Sequence, residues 1–173
     1  MPTADDLKAL IRDIPDYPEP GVMFRDITPM LSVPGTLAAV AEQMAAPWSD
    51  VDLVVGIESR GFILGAPMAA PLGAGFVPVR KPGKLPYDTI EISYDLEYGT
   101  DSLELHIDAV EAGERVLIVD DVLATGGTAG ATIALLERAG ATVVGCSFLL
   151  EIAPLGGRQA LGEIPVDVVL SYP

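Results

Sequence analysis

Apolar residues recur along this chain in two rhythms, and the switching between them is the first structural signal. Leu7, Leu10, Ile11 and Ile14 fall at i, i+3, i+4 and i+7, which predicts an amphipathic helix over Thr3 to Ile14. Thr3 with Asp6 has the capping-box pattern, and Pro15 ends the stretch. Asp16 to Pro20 reads as a Pro-rich loop. Val33 to Ala46 predicts a second helix, with Leu37, Val40, Ala41 and Met44 on one stripe. Largely apolar segments at Val51–Ile57, Phe76–Val79, Glu114–Val119, Thr142–Leu150 and Val166–Leu170 predict strands, and within them the continuous run Val116–Val119 suits burial on both faces. Helical stretches at Phe62–Leu72 and Thr128–Ala139 fall among them. Arg80 to Tyr98 contains Pro82, Gly83 and Pro86 and few apolar pairs, so a mobile excursion or hairpin is expected over about residues 80–100. Strands alternating with helices at this spacing predict one α/β domain, a mainly parallel sheet flanked by helices. Sites in such folds lie at the carboxyl ends of the strands. Ser59-Arg60 and Asp120-Asp121 both fall there and should share one crevice.

The most specific chemistry follows the apolar run Val116–Val119. Asp120 and Asp121 are expected to end that strand, and Ala124-Thr125-Gly126-Gly127-Thr128 leads into a helix. A loop running into a helix N-terminus presents unpaired N–H groups and a favourable dipole to an anion. The paired glycines allow close backbone approach to a phosphate, and Thr125 and Thr128 add hydroxyls. An ordinary strand-to-helix turn with a Thr cap is the plainer alternative. The string is no Walker A loop, because no Gly-Lys-Ser/Thr follows at the required spacing, and no G-x-G-x-x-G fingerprint.

This string resembles the phosphoribosyl pyrophosphate (PRPP) signature of the type I phosphoribosyltransferases. The resemblance implies their fold, with the acidic pair at the ribose hydroxyls and the loop Ala124–Thr128 around the 5′-phosphate. Four further segments extend it over nearly the whole chain: Pro20–Pro29 (PGVMFRDITP), Gly56–Phe62 (GIESRGF), Val79–Pro86 (VRKPGKLP) and Ser93–Gly99 (SYDLEYG). They narrow it to the members whose acceptor base is adenine. By that resemblance, Met23, Phe24 and Arg25 form the adenine site, Phe24 as a stacking face and the backbone nearby as the reader of the purine edge. Ser59 and Arg60 belong to a pyrophosphate loop, with a non-proline cis peptide expected between Glu58 and Ser59. Arg80, Lys81 and Lys84 meet pyrophosphate, from either the same or a neighbouring subunit. Glu97 is the catalytic carboxyl group over the purine. Mg²⁺ is the implied cofactor, held weakly by Asp121 and mostly by PRPP and water. The implied reaction is adenine plus PRPP giving AMP plus pyrophosphate, in a homodimer.

Plainer roles stand beside these. Phe24 suits a core aromatic, Arg25-Asp26 a surface ion pair. Asp120 and Asp121, as strand neighbours, point to opposite sides, one to the ribose and the other to a metal shell or a positive group. The lone His106 fits a surface strand or turn.

Composition changes the picture in three ways. At 173 residues and 50% hydrophobic, the chain can bury a sizeable core, and its apolar runs are too short to span a bilayer. The single cysteine, Cys146, excludes an internal disulfide; in the apolar run Thr142–Leu150 it reads as a buried structural thiol. With no signal-peptide pattern, a cytoplasmic protein without a membrane partner is expected. The net charge of −15 argues against a nucleic-acid partner and against a regulator that keeps a PRPP site to bind RNA or DNA. Of ten Lys plus Arg, Arg60, Arg80, Lys81 and Lys84 cluster, which should focus a positive field at one mouth of an acidic molecule.

Overall fold

The computed structural model describes residues 1–95 and 100–173. In chain order the elements are α1 (Ala4–Lys8), β1 (Arg12–Pro15), β2 (Met23–Asp26), α2 (Thr28–Leu31), α3 (Thr36–Ala45), β3 (Leu53–Ile57), α4 (Arg60–Leu72) and β4 (Gly75–Val79). Then follow β5 (Thr89–Asp95), β6 (Thr100–His106), β7 (Arg115–Leu123), α5 (Gly127–Arg138), β8 (Thr142–Ile152), α6 (Gly157–Ala160) and β9 (Val166–Tyr172). Five strands form one parallel sheet in the order β4-β3-β7-β8-β9. β1 and β2 make an antiparallel ribbon, as do β5 and β6.

The apolar runs build this sheet because alternate residues feed opposite faces. Val54, Leu117 and Val119 face α3 and α4, joining Leu7, Met44, Leu64 and Met68 in one buried cluster. Val55, Ile57, Val116 and Ile118 face the other way, toward Leu135 and Leu136 of α5 and Leu103 and Leu105 of β6. Cys146 is fully buried in the second cluster, and burial pushes its thiol up to about 12. The strand and helix placements follow the periodicity, with three differences that have physical causes.

The helix expected over Thr3–Ile14 stops at Lys8. Its capping box forms, Thr3 Oγ1 accepting from Asp6 N at 3.2 Å. Beyond Lys8, Ile14 pairs with Phe24 in the β1–β2 ladder, so strand pairing overrides the helical rhythm, although Leu7 and Ile11 are still buried. The second helix begins three residues later than expected, behind the short α2. β7 does not end at the acidic pair. It runs on to Leu123, because the long β8 continues alongside and pairs Asp120 with Phe148 and Val122 with Leu150. In the region expected to be an excursion or hairpin, the described residues form a loop and then the antiparallel β5–β6 ribbon, anchored by Leu103 and Leu105 beneath α5.

Candidate active site

The turn from β7 into α5 is shaped by glycines that tolerate what other residues would not. Gly126 caps α5 with φ of 86°, a left-handed conformation that suits glycine. A side chain on Gly157 would meet the Ala124 carbonyl at 2.5 Å, so α6 presses directly on the back of the loop. The front is open: a Cβ on Gly127 would find only Thr125 Oγ1, at 3.8 Å. There the loop borders a crevice of about 310 Å³ that also meets Ser59, Arg60, Lys81, Asp120 and Asp121. No side chain caps the α5 N-terminus, so its first amides are available to an anion in that crevice. The Thr128 hydroxyl lies 3.3 Å from the Tyr94 hydroxyl, which brings the Tyr94–Asp101 end of the β5–β6 ribbon against the loop.

The two carboxylates beyond Val119 have different surroundings. Asp121 is 4% exposed and accepts a hydrogen bond from Arg60 Nε. Burial works against the Arg60 charge, but Asp121, joined by Asp120 and Asp26, outweighs it and raises the guanidinium's pKa. Asp120 accepts from the Asp121 amide at 2.9 Å; burial, and then the Asp121 charge, push its carboxyl well above the usual range. Arg60 reaches the pair because α4 begins against the end of β7. Gly61 makes that approach possible, since a Cβ there would lie 2.6 Å from the Val119 carbonyl. The peptide bond between Glu58 and Ser59 is cis, as the resemblance implied.

The clustered cations are largely matched by acids. Arg60 and Lys81 line the crevice, and Lys81 Nζ bonds to Asp101. The side chains of Arg80 and Lys84 lie at its rim, on Glu58. The local positive field expected from the sequence is therefore tempered by Glu58, Asp101 and Asp121. Neither Glu58 nor Asp101 was singled out from the sequence; each is one acid among 25, and only the fold places it beside a cation.

A second cavity, of about 390 Å³, adjoins the first and shares Arg60, Asp121, Val122 and Ala124 with it. Met23, Phe24 and Arg25 line it together, and Ile152 and Leu155 complete an apolar slot. Phe24 meets Tyr17 edge-on at 5.2 Å, and the Arg60 guanidinium stands 5.5 Å from its ring centroid. The Arg25 side chain turns away to Asp13 and stacks 4.2 Å over Tyr172, while Asp26 accepts from Thr28, so Arg25 and Asp26 are not a pair. Val122, Ile152 and Leu155 carried no sequence signal, being ordinary apolar residues until the chain brings them to one wall. Glu97 falls in residues 96–99, outside the described residues. His106 ends β6 beside Tyr87 and lines neither cavity.

Among the described residues no group of three or more His, Cys, Asp or Glu side chains converges to hold a metal. Asp121 is already engaged by Arg60. This sparse donor set fits a magnesium ion that brings its own water and phosphate oxygens, rather than one held in a protein cage. No helix among the described residues is long and apolar enough to cross a membrane.

A glycine-shaped turn into a helix after an acidic pair, on a five-stranded parallel sheet, is the arrangement of the phosphoribosyltransferase class. Residues 34–161 match the phosphoribosyl transferase domain family. The adenine phosphoribosyltransferase of Acidothermus cellulolyticus is 58% identical, over 99% of this chain and 98% of that one. The crystal structure of adenine phosphoribosyltransferase from Rhodothermus marinus superposes with a TM-score of 0.92 at 57% identity, covering 98% of both chains. The enzyme from Saccharomyces cerevisiae, solved with adenine and an imino-altritol bisphosphate, gives a TM-score of 0.87 at 39% identity over 96% of this chain and 98% of that one. The chain belongs to the adenine phosphoribosyltransferase family.

Proposed function

We propose that the protein serves purine salvage by transferring the 5-phosphoribosyl group of PRPP to adenine, giving AMP and pyrophosphate. The observation that carries this reading is the pair of contiguous cavities, a phosphate cradle and an apolar slot, meeting at Asp121 and Arg60. PRPP would lie with its 5′-phosphate on Ala124–Thr128, its ribose beside Asp120 and Asp121, and its diphosphate toward Ser59, Arg60 and Lys81. Adenine would occupy the slot against Phe24, with backbone groups of Met23–Arg25 reading its edge. The C1′–O bond to pyrophosphate breaks, the anomeric carbon gains oxocarbenium character, and adenine N9 forms the new bond from the opposite face. Loop amides that hold the 5′-phosphate still, and cations beside the departing diphosphate, lower that barrier by positioning and charge stabilisation. Magnesium, when bound with PRPP near Asp121, supplies countercharge to the leaving group. Glu97 manages the imidazole proton of adenine. The buried free thiol supports a reducing, cytoplasmic setting, and a homodimer accords with the family's habit.

Base choice tests the proposal. A backbone acceptor placed for the exocyclic amine of adenine would face the oxo group of hypoxanthine or guanine, losing a hydrogen bond and opposing two acceptors. Pyrophosphate release from magnesium PRPP should favour adenine over either by about 10²-fold or more in kcat/KM. Comparable values for hypoxanthine would overturn the adenine assignment.

A further inference from the structure

We propose that Glu58 is a positioning residue for the diphosphate half of the substrate, acting through the segment Arg80–Lys84; this rests on the transferase reading above. Glu58 directly follows β3 and borders the phosphate crevice, where a bare carboxylate would repel a polyanion. It is not bare. Its Oε2 accepts from Arg80 Nε at 3.1 Å and from Lys81 N at 3.0 Å, and its Oε1 accepts from Lys84 Nζ. The Glu58 side chain is 9% exposed, while Arg80 and Lys84 stay partly open to solvent, so these charge-assisted bonds fix the carboxylate firmly but are partly screened on the cation side. Burial alone would raise the Glu58 pKa, yet these donors outweigh it and hold the carboxyl below its ordinary value.

The far side of the same segment is fixed independently. Arg80 pairs with Glu104 through both backbone groups, and Gly83 N donates to Glu104 Oε2 at 3.0 Å. Between the two anchors, Lys81 is the member of the segment whose side chain enters the crevice, while Arg80 and Lys84 are turned onto Glu58. Two side-chain cations on one carboxylate more than neutralise Glu58 itself, while Lys81 faces Asp101 and Glu104 holds Gly83. Glu58 thereby ties down the segment that carries Lys81 into the crevice instead of presenting a bare charge there. It has no part in the base cavity, which makes its effect separable.

The test combines Glu58→Gln, Glu58→Asp, Lys84→Met and the Glu58→Gln/Lys84→Met double variant. Two readouts are needed: calorimetry with magnesium pyrophosphate, and initial rates at varied PRPP and varied adenine. Glu58→Gln keeps an acceptor for Lys81 N but cannot pair with two cations. It should weaken magnesium pyrophosphate binding and raise KM for PRPP by about 10-fold, and KM for adenine should move less than about 2-fold. Glu58→Asp, which keeps the charge, should recover part of the loss. In the Lys84→Met background the further effect of Glu58→Gln should shrink to less than about half, the signature of residues acting through each other. Unchanged or tighter pyrophosphate binding in Glu58→Gln would overturn the proposal, because Glu58 would then merely compete for the cations. An equal rise in both KM values would also overturn it. If the parent binds pyrophosphate but does not turn over adenine, the transferase reading fails, and the calorimetric arm still decides the role of Glu58.

Discussion

Gly126 and Gly127 stand side by side and do different work. Gly126 needs its left-handed backbone and has Gly157 and Ala160 against it, whereas Gly127 looks onto the open crevice. Gly127→Val should therefore fold normally yet abolish PRPP binding by filling the space a phosphate needs. Gly126→Val should lose stability as well. Thr128→Ala removes one hydroxyl and should weaken PRPP by roughly 1–2 kcal/mol. Calorimetry with each variant, beside its thermal unfolding, separates these outcomes; unaltered PRPP affinity in Gly127→Val would place the phosphate elsewhere. Glu97 has a role by resemblance alone. A carboxyl group over the purine would assist attack by N9 through the imidazole proton, so Glu97→Ala should lower kcat by roughly 10²–10⁴-fold with little effect on PRPP affinity. Glu97→Gln should recover part of it, and Asp95→Ala should be nearly silent. Equal turnover by both alanine variants would remove Glu97 from the chemistry.

Among elements, the decisive contact is between the start of α4 and the end of β7. Gly61 lets the helix approach the Val119 carbonyl closely enough for Arg60 to reach Asp121. Gly61→Ala puts a methyl where backbone already stands, so α4 must retreat and take Arg60 with it. A loss of roughly 1–3 kcal/mol in stability and a fall in activity are expected. Gly130→Ala in α5 is the counterpart. Its nearest neighbour would be Leu161 Cδ2 at 4.0 Å, and the helix should gain about 0.5–1 kcal/mol from the reduced backbone entropy cost. Chemical denaturation of the two variants, run side by side, should give opposite signs. Both positions are glycines within helices, and nothing in the sequence around them foretold the difference. It depends on which element lies opposite.

For the molecule as a whole, the acidic charge acts through a few carboxyls with altered affinity for protons. Thr28 holds Asp26 below the ordinary range, Lys81 does the same for Asp101, and the cations on Glu58 outweigh its burial. The native state then binds fewer protons than the unfolded chain. Stability from these groups is present above the unfolded carboxyl pKa, about 4, and is lost as pH falls below it through the lowered folded values. Asp120 has the opposite sign. Its raised folded pKa costs stability once the pH exceeds the unfolded value, and that cost vanishes in acid. Asp120→Asn keeps an acceptor for the Asp121 amide, so it should unfold at a higher temperature than the parent near neutral pH and converge with it near pH 3. A constant offset across that range would mean that the difference is packing, not charge.

The linear order of residues was enough for the sheet and for the glycine turn into α5, because both are written locally. A both-faces-buried strand is marked by an apolar run, and such a turn by glycine and hydroxyl residues directly before a helix. The acidic pair, the Ser59-Arg60 turn and the basic segment were legible for the same reason. Tertiary structure decided what depends on a partner distant in sequence. Pairing with β2 turned residues 12–14 from helix to strand, and pairing with β8 carried β7 past Asp121 to Leu123. It also decided that Arg60 meets Asp121, that Arg80 and Lys84 rest on Glu58, and that Val122, Ile152 and Leu155 share a wall with Phe24. A charge or an apolar side chain specifies only the kind of neighbour it needs, and many residues of this chain would satisfy that need. The packed sheet and helices determine which one arrives.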